Sequence, residues 1–422
     1  MEEALEKIII EGGSNLYGDV YIGGMKNSAL PILFATMLVK DDCIIDGVPR
    51  VSDIFNTLKI LNDMGADAYF VDENTVFVNA SNATNIIKNQ ALISKMRASS
   101  YLMGASLARF GGITINMPGG CNFGVRPIEQ HLKGFERLGA SCSQNEGIIE
   151  ISTKKSLKNE KITLDKISVG ATINIVLASI FIDGLTVIDN CAMEPHVDDL
   201  ICFLNKCGAK IIRNGRRIFV CGVKQLHGAR HRIYPDMIEA LTYMTFLGTA
   251  GGQISLHNCI FDHLTYTVDA LTEMGLEIFD YGSSITVKRK GNIKGISVET
   301  APYPFLPTDI HPQLCALLCF AKNEGKIREG VFPTRFAYVN ELKKMGANIF
   351  VQGDTVTVKP SNLHSAQLDA TDLRAGAALI TASLGVDGTC EIKNVNYIVR
   401  GYELLSEKLS SIGGKIRIIK EN

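Results

Sequence analysis

Leu342-Lys343-Lys344-Met345-Gly346-Ala347 decides the fold, because it is one of six copies of a phrase. The phrase has an apolar residue, two intervening positions, a second apolar residue, a glycine and then an extended run. It also reads Leu61-Asn62-Asp63-Met64-Gly65-Ala66, Phe135-Glu136-Arg137-Leu138-Gly139-Ala140 and Leu204-Asn205-Lys206-Cys207-Gly208-Ala209. It returns at Leu271 to Gly275 and at Leu409 to Gly414. The glycines stand at 65, 139, 208, 275, 346 and 413, with spacings of 74, 69, 67, 71 and 67 residues. A fixed period of this kind marks a repeated supersecondary unit.

Each copy carries the same local instructions. Apolar residues at helical spacing stop at a glycine, which tolerates the left-handed conformation past a helix end. Two short alternating runs follow around a polar turn, as in Asn348 to Val351 and Thr355 to Val358, and these read as a hairpin. Upstream lie more apolar helical segments: Asn27 to Leu38, Lys95 to Phe110, Ser168 to Ile182, Pro235 to Leu247, Asp309 to Ala321 and Asp372 to Leu384. They are apolar enough to be largely buried. The unit is therefore strand, helix, strand, helix, hairpin, about 70 residues long. Six units in 422 residues predict an α/β protein of two domains with three repeats each. The polar stretch Gly228 to Ile233 is the expected joint, and the cleft between two such domains is the expected ligand site.

Composition narrows the function. The net charge is −1, which gives no reason to expect nucleic acid as a partner. No apolar run is long enough to span a bilayer, and the N-terminus lacks a signal peptide's basic start and apolar core. A cytoplasmic protein is expected. Eleven cysteines without a Cys-x-x-Cys pair suggest reduced thiols rather than a disulfide framework or a metal site.

Several stretches do not read as core. Met117-Pro118-Gly119-Gly120-Cys121-Asn122-Phe123-Gly124-Val125-Arg126-Pro127 sets one cysteine among glycines before a helical segment, Ile128 to Leu138. A surface turn with an incidental thiol is the plain alternative. Gly23-Gly24-Met25-Lys26-Asn27-Ser28 puts a lysine at a helix start, suited to a phosphate or carboxylate unless that lysine is simply solvated. Arg97, Arg374 and Arg400 also stand beside expected helix starts, where an arginine opposes the dipole and calls for an anion or carboxylate partner. Lys166 and Ser168-Val169-Gly170 form another such start, whose small residues would let a phosphate approach. Asp309, after three prolines, reads either as a helix N-cap or as a functional carboxylate. His131 reads either as a site residue or as an ordinary partly buried histidine.

Together these motifs resemble the UDP-N-acetylglucosamine enolpyruvyl transferases. Gly24 to Leu30, Met96 to Ser99, Pro118 to Cys121, Gly124 to Pro127, Ser168 to Thr172, Pro307 to Asp309, Asp372 to Ala375 and Arg400 to Glu403 match in order along the whole chain. The resemblance implies two inside-out α/β barrels, 25–231 and 1–24 plus 232–422. It implies transfer of the enolpyruvyl group of phosphoenolpyruvate to the 3-hydroxyl of UDP-N-acetylglucosamine, in peptidoglycan synthesis, without metal or cofactor. The catalytic residues implied are Cys121, Asp309 and Lys26. Phosphoenolpyruvate would be held by Lys26, Asn27, Arg126, Arg400 and Arg374. The nucleotide sugar would meet Asn27, Arg97, Arg126, Pro127, Ile128, Glu129, Gln130, His131, Lys166, Ser168, Val169, Gly170, Asp309 and Val331. A monomer or weak homo-oligomer and sensitivity to fosfomycin at Cys121 are also implied. Glycines 119, 120 and 124 would let the cysteine loop close. The sequence departs from the family pattern at His196, Met237, His311 and Val399. These departures leave open another acceptor, or a paralogue that binds the nucleotide sugar for regulation.

Overall fold

The computed structural model describes residues 6–119 and 128–420. Cys121, Arg126 and Pro127 lie outside the described residues. The chain forms two compact units, one of residues 24–119 and 128–234 and the other of residues 6–23 and 235–420.

The repeat is visible in the sheets. In the third copy the strands Lys161–Thr163 and Leu185–Asp189 pair in parallel, with the helix Val169–Ser179 between them. The helix Pro195–Lys206 follows, and the hairpin Lys210–Asn214 and Arg217–Cys221 adds to the Leu185–Asp189 edge. The fifth copy has the same order: Ser297–Thr300, His311–Leu318, Gly325–Glu329, Tyr338–Lys344, Asn348–Gln352 and Thr355–Lys359. All six period glycines have φ between +90° and +107°, a conformation that side chains beyond glycine seldom adopt.

Three copies borrow a strand from elsewhere in the chain. Leu16–Tyr21 pairs in parallel with Gly252–His257, and Glu6–Glu11 inserts between Thr389–Lys393 and Lys415–Lys420. In the other unit Arg230–Arg232 pairs in parallel with Cys43–Asp46. The polar stretch read as the joint thus contains a strand. Its alternation of exposed Arg230, buried His231 and exposed Arg232 fits a sheet edge. The division between units follows it, at Tyr234 and Pro235.

The second copy has a three-stranded sheet, Gly112–Asn116, Ile148–Ser152 and Ser141–Asn145. Gln90 serves its open edge instead of a strand. The Gln90 side chain donates to the Thr114 carbonyl at 3.2 Å and accepts from the Asn116 N–H at 3.0 Å. A side-chain amide has the same donor and acceptor as a peptide, so it satisfies the edge as a strand would.

In each unit the helices between the parallel strands lie inside and the sheets outside. Met237–Ala250, His311–Leu318 and Leu373–Leu384 pack on one another and are buried along nearly their whole lengths. Tyr101–Phe110 and Val169–Ser179 pack closely in the other unit. There a Cβ on Gly104 would lie 2.3 Å from the Asn174 carbonyl oxygen. The helix expected from Lys95 to Phe110 is interrupted: Met96 is extended, and α-helix begins at Tyr101. The Ser99 hydroxyl bonds the carbonyls of Ile93 and Met96, which offers the backbone an alternative to the helical ladder.

Candidate functional site

The candidate residues fall into two groups, one in each unit. In the unit containing Lys26, that lysine starts the helix Lys26–Ala35, and its Nζ donates to Asp53 Oδ2 at 3.0 Å. Both side chains are largely buried, at 12% and 7% exposure, so Lys26 is not a solvated lysine. A buried ammonium next to a single carboxylate retains donors for a further acceptor. Asn27, next in the same turn, is half-buried.

Ser168 caps the helix Val169–Ser179, its Oγ accepting from the Ala171 N–H at 3.2 Å. The small size of Gly170 serves a packing need. A Cβ there would lie 2.8 Å from the His131 ring, so the histidine leaves no room for a larger residue. His131 is buried and accepts at Nδ1 from the Asn174 amide at 2.9 Å. The ring is therefore the neutral Nε2–H tautomer. Burial, with the Arg97 charge adding to it, pushes its pKa down to about 3. Gln130 accepts from the Lys166 N–H at 3.1 Å, tying the helix Glu129–Arg137 to the segment before Ser168. The Ile128 side chain is core, while Glu129 and Lys166 are exposed. A Cβ on Gly119 would lie 1.7 Å from the Ser94 carbonyl oxygen, so no larger residue fits there.

The state of His131 has a measurable consequence. Its folded pKa lies below the ordinary histidine value of 6.5. The unfolded chain therefore takes up the proton first as pH falls. The stability due to the neutral ring is complete above pH 6.5 and is lost progressively toward pH 3. In denaturant titrations, the stability of wild type minus that of His131→Gln is expected to fall by about 3 kcal/mol between pH 7 and pH 4. A difference that stays flat across that interval would show that the buried ring titrates normally.

In the other unit Asp309 precedes the helix His311–Leu318 but does not cap it. Ile310 occupies the cap position and makes no side-chain cap bond. The two Asp309 oxygens are held separately instead. Arg335 Nη1 donates to Oδ1 at 2.8 Å, and Arg374 Nη2 donates to Oδ2 at 3.2 Å. The guanidinium side chains are 3% and 6% exposed and the Asp309 side chain 30%, so the carboxylate still reaches solvent. Arg374 stands in the first turn of the helix Leu373–Leu384, whose cap is Asp372, and also donates to the Tyr402 hydroxyl at 3.0 Å. Burial works to lower the Arg374 pKa, but the facing Tyr402 and Asp309 outweigh it and raise it further. Arg400 is not at a helix start. It lies in the turn between Val395–Tyr397 and the helix Leu405–Ser411, where Gly401 packs against Leu373. Val331 is half-buried, and its N–H donates to Glu329.

Arg335, Glu329, Thr308 and Asp53 hold these groups in place and were not singled out in the sequence. Thr308 lies within the Pro307 to Asp309 motif. Arg335 could have been flagged as a charged residue beside Phe332 and Phe336 in an otherwise apolar helical approach.

Comparison with known proteins gives one consistent picture. The model of the EPSP synthase (3-phosphoshikimate 1-carboxyvinyltransferase) family matches residues 10–409. A UDP-N-acetylglucosamine 1-carboxyvinyltransferase from Halothermothrix orenii is 43% identical over 98% of this chain and 100% of its own. One from Clostridium botulinum is 42% identical over 98% and 99%. Among solved structures, the enolpyruvyl transferase NikO from Streptomyces tendae superposes with a TM-score of 0.89 over 100% of both chains at 23% identity, a likeness of fold.

Proposed function

The chain belongs to the EPSP synthase family, and on that premise we propose that it is a UDP-N-acetylglucosamine 1-carboxyvinyltransferase. It transfers the enolpyruvyl group of phosphoenolpyruvate to the 3-hydroxyl of UDP-N-acetylglucosamine and releases phosphate. The observation that carries this reading is full-length likeness to relatives named for that acceptor.

The residues fit the chemistry. The acceptor oxygen bonds to C2 of phosphoenolpyruvate while C3 takes a proton. C3 then loses a proton as the bond from C2 to the phosphate oxygen breaks. Phosphoenolpyruvate carries two anionic groups, and Lys26, Arg374, Arg400 and Arg126 are the cations assigned to them, with Asn27 beside Lys26. Cys121 supplies the proton to C3, and Asp309 accepts the proton of the sugar hydroxyl. Arg97, Lys166 and the helix start at Ser168 to Gly170 take the diphosphate. The stretch 127–131 and Val331 line the rest of the nucleotide sugar. The scheme uses no cofactor. On this reading the protein works in peptidoglycan synthesis and in the cytoplasm. Among the described residues no helix is long and apolar enough to cross a membrane.

Phosphate release is expected only when phosphoenolpyruvate and UDP-N-acetylglucosamine are both present. Cys121→Ala is expected to abolish it while nucleotide-sugar binding persists, and fosfomycin is expected to add to Cys121 by mass spectrometry. Phosphate release with 3-phosphoshikimate but not with the nucleotide sugar would reassign the acceptor. Binding of the nucleotide sugar without any turnover, across a range of pH, would point to a regulatory protein.

A further inference from the structure

Glu329 has no part in that scheme, yet five donors converge on it. It ends the strand Gly325–Glu329, and its side chain is 0% exposed. Oε1 accepts from Thr300 Oγ1 at 2.8 Å and from the Val331 and Phe332 N–H groups at 2.9 Å each. Oε2 accepts from Thr308 Oγ1 at 2.9 Å and from His311 Nδ1 at 2.8 Å. Burial would raise the carboxyl pKa, but these donors, His311 first, reverse it and hold the group ionised. His311 is itself buried, which lowers its pKa. It stays neutral, donating from Nδ1 and accepting at Nε2 from the Tyr338 hydroxyl at 2.8 Å.

We propose that Glu329 is a positioning residue, which sets Asp309 and Val331 in register for the acceptor sugar. The inference rests on the transferase reading above. One arm runs through Thr308. Its hydroxyl gives its single proton to Glu329, so its lone pairs face Arg335 Nη1 at 3.1 Å. The same nitrogen reaches the Thr308 carbonyl at 3.1 Å and Asp309 Oδ1 at 2.8 Å. Thr308 thus orients Arg335, and Arg335 orients the carboxylate assigned to the sugar hydroxyl. The other arm is the turn after Gly330, closed by the two N–H groups on Oε1, which fixes Val331.

The site requires an acceptor-only group. A glutamine would bring two N–H donors into a ring of donors. Facing Val331 and Phe332, those N–H groups would meet backbone protons that cannot move. Facing His311, they would be accommodated, because the imidazole can carry its proton on Nε2 and accept at Nδ1. Thr308 would then lose the acceptor for its proton. Glu329→Gln is therefore expected to fold and to lose the orientation of Thr308.

The test uses the full chain, with kcat and KM for both substrates and the ligand-free melting temperature. Glu329→Gln and Thr308→Val are each expected to lower kcat by about 10- to 100-fold, with KM for phosphoenolpyruvate within about twofold of wild type. Glu329→Gln is also expected to raise KM for UDP-N-acetylglucosamine several-fold, and Thr308→Ser to keep kcat within about twofold. Wild-type kcat in both variants overturns the proposal. So does a loss of kcat that tracks the melting temperature, or one that Thr308→Ser shares. If wild type itself releases no phosphate with the nucleotide sugar, the transferase reading fails first and this one with it. Active wild type with unimpaired variants rejects the positioning role alone.

Discussion

Asp309→Asn is expected to lower turnover by roughly 10²- to 10⁴-fold while the protein still binds UDP-N-acetylglucosamine. The substitution preserves shape and removes two things at once. One is the proton acceptor assigned to the sugar hydroxyl. The other is the symmetry of the clamp, since each Asp309 oxygen accepts from a different guanidinium. An amide must turn its NH₂ toward either Arg335 or Arg374, and neither can accept a hydrogen bond. The variant should therefore show a disturbed Asp309 position as well as lost chemistry. The measurement is phosphate release at saturating concentrations of both substrates, beside the melting shift produced by the nucleotide sugar. Wild-type turnover in the variant would remove Asp309 from the reaction.

Arg374→Ala is expected to have the largest effect on stability, about 3–5 kcal/mol. Arg374 is a buried cation with partners on two sides. It donates to Asp309 and to the Tyr402 hydroxyl, and its guanidinium lies 5.5 Å from the Tyr402 ring centre. Truncation leaves a cavity, a Tyr402 hydroxyl without its guanidinium donor, and an Asp309 oxygen without its partner. Arg374→Lys keeps the charge but lacks the planar fork that holds Tyr402 and Asp309 together, so it is expected to recover only part of the loss. Denaturant midpoints of the three proteins decide the matter. An alanine variant within about 1 kcal/mol of wild type would mean that the pair contributes little beyond its desolvation cost.

The repeat was legible in the sequence because a left-handed helix end leaves one residue type few rivals. Gly65 and its five counterparts announce a helix end and a following strand in every copy, and in the first five that strand opens a hairpin, whereas Lys415–Lys420 after Gly413 pairs with Glu6–Glu11 instead. The interior helices were legible through their apolar content. The borrowed strand Arg230–Arg232 was not, since it carries no apolar run and its partner strand Cys43–Asp46 is far away in sequence, and the place of residues 1–24 came only from the family resemblance. Nor was the work of Gln90, which acts through one amide. At the candidate site, motifs with a helix start were visible, and Ser168 and Asp372 do cap helices. Their supports were invisible for a physical reason. Asp53, Glu329 and Arg335 act through contacts about 20 or more residues away, and a single buried carboxylate has no periodicity to betray it. At Gly119 and Gly170 the sequence shows smallness but not the close neighbours that demand it, the Ser94 carbonyl and the His131 ring.

The borrowed strands also govern how the protein can be made. Residues 6–11 form the middle of a sheet whose flanking strands are Thr389–Lys393 and Lys415–Lys420. During synthesis residues 6–11 leave the ribosome long before either neighbour exists, whereas every described strand of the unit made of residues 24–119 and 128–234 is made before residue 235. The opening strands must then remain unpaired and out of wrong partnerships until the closing ones arrive. Ile8, Ile9 and Ile10 make that wait an aggregation hazard. Any change that slows the pairing of residues 6–11 thus lengthens the exposure of those three isoleucines.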